Sequence, residues 1–185
     1  ALNVTPAINK CVKGVVATFT EISTEHGNAT YTIKDEDADN SMIIYRGLYL
    51  NNTAFTTEDQ IYVGDEVTIF GTISEYQSVN QFAQGNYIVA LKPAARLAWS
   101  AESFDASLEG ANTFPSLTNT NSVSVSYSSS NTSAATISNE EGHEGEISLV
   151  AVGSTTITAS FAGNETYKAK SVSYTLNVAS SLVTL

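Results

Sequence analysis

A single cysteine in 185 residues excludes an internal disulfide framework and any cysteine-cluster zinc site. Two histidines leave little material for imidazole-based metal binding or catalysis. Long apolar runs are missing too: no stretch approaches the roughly 18 residues that a membrane-spanning helix needs. Positive charge is scarce, with 8 Lys and Arg against 19 Asp and Glu, a formal net charge of -11. Nucleic-acid binders draw much of their affinity from Lys and Arg on phosphates, so this balance disfavours a nucleic-acid partner. The acidity itself is ordinary for a soluble surface and selects no partner. Charged residues total only 15% and hydrophobic residues reach 42%, which excludes a solvated disordered tail and is enough for packed cores.

The ends carry few signals. The chain starts at Ala1 with no charged region followed by an apolar one, so it reads as a processed or excised start. The run from Ala179 to Leu185 has no clean stop, and further domains of a longer parent protein are expected. Cys11 lies in an apolar strand pattern and is expected to be a buried, inert thiol.

What is present is β pattern, in two halves of different composition. Residues 1–93 hold 15 Ser and Thr and residues 94–185 hold 30. A Pro and small residues mark the join around Leu91–Arg96, which predicts two domains, 1–93 and 94–185. In the first, Val12–Ile22 reads as a long strand that Gly14 bends. After a turn at His26–Asn28, Ala29, Tyr31 and Ile33 alternate with polar residues as a half-buried strand. Asp35–Asn40 is a polar tip and Met42–Arg46 the return strand. Thr57 with Gln60 three residues on predicts a short capped helix. Val63–Asp65 reads as a turn. Val67, Ile69 and Ile73 form a fourth strand, Glu75–Asn86 a long amide-rich loop, and Tyr87–Leu91 a fifth strand.

Five strands with a helix between the third and fourth follow the order of the OB-fold barrel. The runs Val12–Val16, Tyr31–Ile33, Tyr45–Gly47 and Val63–Val67 resemble an OB-fold module of secreted and surface proteins of Gram-negative gut-type bacteria. In the second half, glycines at 145, 153 and 163 punctuate short strands, as in a small β-sandwich. There the runs Tyr127–Asn131, Ala135–Ile137, Val152–Thr158, Ala162–Tyr167 and Tyr174–Val178 resemble bacterial Ig-like domains of adhesins and surface-anchored enzymes. The expected fold class is therefore all-β, a five-stranded OB-like barrel followed by an Ig-like β-sandwich. Trp99 is expected in the sandwich core.

Candidate chemistry is thin. Asp35, Asp37 and Asp39 have a calcium-like spacing, but Asn40 and Arg46 stand where a calcium loop needs Gly and Glu. A polar hairpin tip is the better reading, with calcium the only cofactor to consider. His143 lies among acids in Glu140–Glu146 and reads as an exposed loop residue. Carboxylates cluster in predicted turns, with no apolar setting to raise the pKa of one of them. No Ser/His/Asp order, phosphate loop or nucleotide fingerprint occurs, and the chain reads as non-enzymatic.

The aromatic and amide set is more informative. OB folds bind ligands across their second and third strands and between two loops. Those elements here carry Tyr45, Arg46, Tyr76, Gln77, Phe82 and Tyr87, with Asn80, Gln81, Gln84 and Asn86. Aromatic faces with amides suit sugar rings; base stacking normally comes with a cationic groove that this region lacks. Tyr31 and Tyr87 compete as core or rim residues. The expectation is a non-catalytic, exported module at the cell surface or periplasm, acting in adhesion or in glycan or protein binding, or as a structural spacer. The second half's resemblance to surface proteins implies that location.

Overall fold

The computed structural model describes residues 9–36 and 40–180 and divides the chain into two compact units, Ala1–Ala94 and Ala95–Leu185. The regular structure of the described residues is β-strand apart from one short helical turn, and no helix among them is long and apolar enough to cross a membrane.

Among its described residues the first unit has six strands: β1 (Asn9–Ser23), β2 (Asn28–Lys34), β3 (Ser41–Gly47), β4 (Glu66–Tyr76), β5 (Val79–Phe82) and β6 (Tyr87–Lys92). Strand β1 serves two partners. Its first half, Asn9–Val15, pairs with β4, and Val15–Ser23 pairs with β2. Gly14 stands at the changeover, where an added Cβ would meet the Lys34 carbonyl oxygen at 3.0 Å. Close approach of two backbones explains this glycine. Strand β3 pairs antiparallel with β2 and parallel with β5, and β4 pairs with both β5 and β6.

Period-two alternation sends one face of each strand inward. Val16, Tyr31, Ile33, Ile44, Val67, Ile69, Phe82 and Ile88 form the core, and Phe55 and Ile61 enter it from the segment between β3 and β4. Each such side chain contributes about 1.5–3 kcal/mol on full burial.

Three expectations are corrected in this unit. The short helix at Thr57–Gln60 is an irregular turn. The Gln60 side chain does reach back to accept from the Thr57 N–H at 3.0 Å, but the chain leaves to bury Ile61 before a helical turn can propagate. Among the described residues the one helical turn is at Leu50–Asn52, where Asn51 and Asn52 hold left-handed φ values of 52° and 65°. The loop expected over Glu75–Asn86 is mostly strand: β4 runs on to Tyr76, turns through Gln77 and Ser78, and returns as β5. Cys11 is exposed, because it lies on the outer side of β1 opposite Phe70 of β4.

Two buried polar side chains hold the strands in place. The Asp65 carboxylate, 1% exposed, accepts from the Tyr62 N–H at 2.8 Å and the Ala94 N–H at 2.9 Å, tying the expected Val63–Asp65 turn to the end of the unit. Asn86 fills the break between β5 and β6. Its Nδ2 donates to the carbonyls of Tyr45 at 3.0 Å and Ala83 at 2.9 Å, while its backbone carbonyl accepts from the Leu48 N–H at 2.9 Å. Gly47 and Gly71 make room for it: a Cβ on Gly71 would lie 2.6 Å from the Asn86 Cβ.

The second unit contains β7 (Leu97–Trp99), β8 (Ser103–Ser107), β9 (Leu117–Asn119), β10 (Ser126–Ser129), β11 (Ala135–Ile137), β12 (Ile147–Leu149), β13 (Gly153–Phe161) and β14 (Lys170–Ala179). A four-stranded sheet runs β10-β13-β14-β8, with β8 parallel to β14, beside the pairs β11-β12 and β7-β9. Ile157, Tyr174, Leu176 and Val178 of the sheet pack against Ala135, Ile137, Ile147 and Leu149 of the β11-β12 pair, which gives the unit a β-sandwich character. Trp99 joins this core, its ring 4.9 Å from that of Tyr174 and its indole N–H donating to the Val172 carbonyl at 3.1 Å. Ser and Thr alternate outward: Ser126, Ser160 and Ser171 stand in one cross-strand row, and Ser128, Thr158 and Ser173 in the next. These rows hold six of the 30 Ser and Thr residues of this half.

Candidate functional site

The register of β3, β5 and β4 collects the candidate residues. Ile44 pairs with Phe82, and Phe82 with Ile73, all on the core side. Their neighbours along each strand therefore face outward: Ile43 and Tyr45 on β3, Val79 and Gln81 on β5, Ser74 and Tyr76 on β4. Tyr45, Tyr76 and Gln81 line one cleft of about 230 Å³ on this outer face. Tyr76 is 61% exposed and its cross-strand partner Val79 is 50% exposed. Large apolar side chains that stay in water while the core side is filled are informative when they adjoin a cleft.

Two local features shape the cleft. The first is a bulge in β3. Between the pairs Ala29–Gly47 and Tyr31–Ile44, β3 spends one residue more than β2, and Arg46 takes a left-handed φ of 47°. The Arg46 N–H donates to the Thr30 hydroxyl at 3.2 Å instead of to the ladder. Bulges re-aim side chains at the ends of pairing. Here the Arg46 guanidinium carbon lies 5.3 Å from the centre of the Tyr45 ring, a cation–π arrangement. The second is the two-residue turn between β4 and β5. Gln77 and Ser78 have φ of 50° and 65°, the twist-matched hairpin turn that Asn-Gly normally supplies. The Gln77 amide reaches the Tyr76 hydroxyl at 3.4 Å. Three of the six non-glycine residues with positive φ among the described residues thus border this one face. Such strain clusters where surrounding structure enforces it, often at binding sites.

The candidates from the sequence divide accordingly. Tyr45, Tyr76 and Gln81 come together, with Arg46 and Gln77 at the margins. Phe82 does not take part: it is fully buried, on the opposite side of β5 from Gln81. Asn86 is a buried support for the Tyr45 backbone rather than a surface amide. Tyr87 opens β6 half-buried with its ring 5.5 Å from that of Phe70, outside the trio that lines the cleft. Tyr31 is core; burial raises the pKa of its phenol, whose oxygen has no hydrogen-bond partner among the described residues. Sequence reading missed Val79 and the bulge at Arg46. The alternation Ser74, Tyr76, then Val79, Gln81 carried the hairpin signal, but Gln-Ser at its centre hid the turn.

The metal candidates gain nothing. Asp35 is exposed beside the hairpin tip, where its N–H donates to the Asn40 carbonyl, and Asp37 and Asp39 lie outside the described residues. Among the described residues no group of three or more His, Cys, Asp and Glu side chains could hold a metal ion. His143 sits in the exposed loop between β11 and β12, its Nδ1 3.0 Å from Glu146. A second, polar cleft of about 490 Å³ runs beside that loop, lined by Ser138, Asn139, Glu140, His143, Glu146 and neighbours.

The chain matches no protein-family model, and no curated protein matches it.

Proposed function

We propose that the chain is a non-catalytic binding module of an exported bacterial envelope protein, and that it holds a glycan on the outer face of β3, β5 and β4. The observation that carries this reading is the cleft of Tyr45, Tyr76 and Gln81. Two phenols and an amide offer flat apolar faces for the C–H side of a sugar ring and donors and acceptors for its hydroxyls. A preformed, partly apolar cleft with a few polar groups is the usual form of a small-ligand site.

The strand pairings support an OB-like reading of the first unit. Strand β1 pairs with both β2 and β4, and β3 lies parallel to β5, while β5 and β6 together stand for the fifth strand, broken at Asn86. On that reading the turn at Gln77 and Ser78 joins the fourth and fifth strands, one of the positions at which such folds take oligosaccharides. The β-sandwich character of the second unit supports an Ig-like spacer role, carrying the first unit away from the rest of the parent protein. Fold alone does not fix either role.

A glycan array probed with the wild-type chain and with Tyr76→Ala tests the reading. Tyr76 is exposed, so the variant keeps its fold. Binding to a saccharide class that drops about tenfold in the variant, the loss of one ring-stacking contact, is the expected result. An array without any saccharide signal contradicts the reading.

A further inference from the structure

Arg46 is the feature of this face that a neutral ligand leaves unexplained. The chain carries 19 carboxylates, yet Arg46, like Lys34, forms no ion pair among the described residues, and its guanidinium lies against the Tyr45 ring instead. The outward residues Ile43, Tyr45, Val79, Gln81, Ser74 and Tyr76 are all uncharged. Arg46 also occupies a backbone conformation that glycine takes without cost, at φ 47°. A long cation thus stands, in strain, where the fold alone would favour glycine. Its guanidinium is held against the Tyr45 ring, and Tyr45 is fixed in turn by the hydrogen bond from the buried Asn86 to its carbonyl. A guanidinium stacked on an aromatic face keeps its N–H edge for a carboxylate, which it can grip through two parallel hydrogen bonds.

We infer that this face takes an oligosaccharide bearing a single carboxylate, its acid group on Arg46 and its neutral rings against Tyr45 and Tyr76. The inference rests on the glycan reading above and names the ligand class within it. Arg46 is the cation that β3, β5 and β4 carry here, and one cation matches one acid. A densely charged polyanion is excluded as the ligand by the net charge of -11, which would repel each further carboxylate.

The test is calorimetric titration of the whole chain with two probes: a xylotriose bearing one glucuronic acid, and the same oligosaccharide with its carboxylate reduced to an alcohol. The acidic probe is expected to bind on the order of tenfold more tightly, the worth of a charge-assisted hydrogen bond. Arg46→Gly is expected to remove that difference without lowering the unfolding midpoint, since glycine relieves the backbone. Tyr45→Ala is expected to weaken both probes. Equal affinity of the two probes for the wild-type chain, or a preference that survives in Arg46→Gly, overturns the carboxylate assignment and leaves the glycan site standing. No binding of either probe overturns the inference, and the array decides separately whether the glycan reading falls with it. Tighter binding of an acidic peptide than of the acidic probe also overturns the inference.

Discussion

At the scale of single residues, buried polar groups decide more than their number suggests. The Asn86 side chain supplies a donor to two partly buried carbonyls, so Asn86→Ala leaves those of Tyr45 and Ala83 without that partner. A loss of about 2–4 kcal/mol is expected from two orphaned acceptors, read as a fall in the urea midpoint, and ligand affinity falls with it because Tyr45 loses its support. Tyr174 gives a pH signature. Burial pushes its phenol from 10.0 up to about 12, so the folded unit keeps its proton where the unfolded chain releases it. Its stabilising contribution is complete below pH 10.0 and is lost as the pH rises through about 12. Thermal unfolding of the second unit is therefore expected to weaken over that window in the wild-type chain, and less in Tyr174→Phe. Parallel curves for the two proteins would remove the claim. None of these polar roles is legible in the sequence: an Asn beside Gly85 reads as a loop amide, and only its place between β5 and β6, against the Tyr45 carbonyl of β3, shows what it does.

At the scale of elements, alternation was the legible signal and turn chemistry the unreliable one. Ala29, Tyr31 and Ile33 alternate cleanly and do form the inner side of β2. Gly14, expected from the sequence to bend a long strand, stands where β1 passes from pairing with β4 to pairing with β2. The hairpin of β4 and β5 stayed hidden because Gln77 and Ser78 adopt a conformation they do not favour. The helix expected at Thr57 rested on a cap whose hydrogen bond does form, while burial of Phe55 and Ile61 governs the backbone around it. Local signals yield where a large side chain has a core to enter. The hairpin supplies its own test. Replacing Gln77 by Asn and Ser78 by Gly removes the left-handed penalty and is expected to stabilise the first unit by about 1 kcal/mol or more, measured by denaturant unfolding. A destabilised variant would show that the turn is not under strain.

At the scale of the whole molecule, the chain holds separate cores in two units of unlike surface. The second presents rows of Ser and Thr on its four-stranded sheet. The first presents a face where aromatic, amide and cationic groups meet beside three left-handed residues. Only part of that face was legible in the sequence. Tyr45 and Arg46 could be named from their strand and Tyr76 from the amide-rich loop expected over Glu75–Asn86, but Phe82 and Asn86 turn inward for reasons of register and packing that no single-chain pattern records. The central claim is that ligand contact is confined to this face. Amide chemical-shift mapping during titration of the whole chain with the glucuronic-acid-bearing xylotriose tests it most directly. Perturbations centred on Tyr45, Arg46, Tyr76, Gln77 and Gln81, with the second unit unmoved, are the result expected. Perturbations centred on the second unit, or on the β1–β2 end of the first, would contradict it.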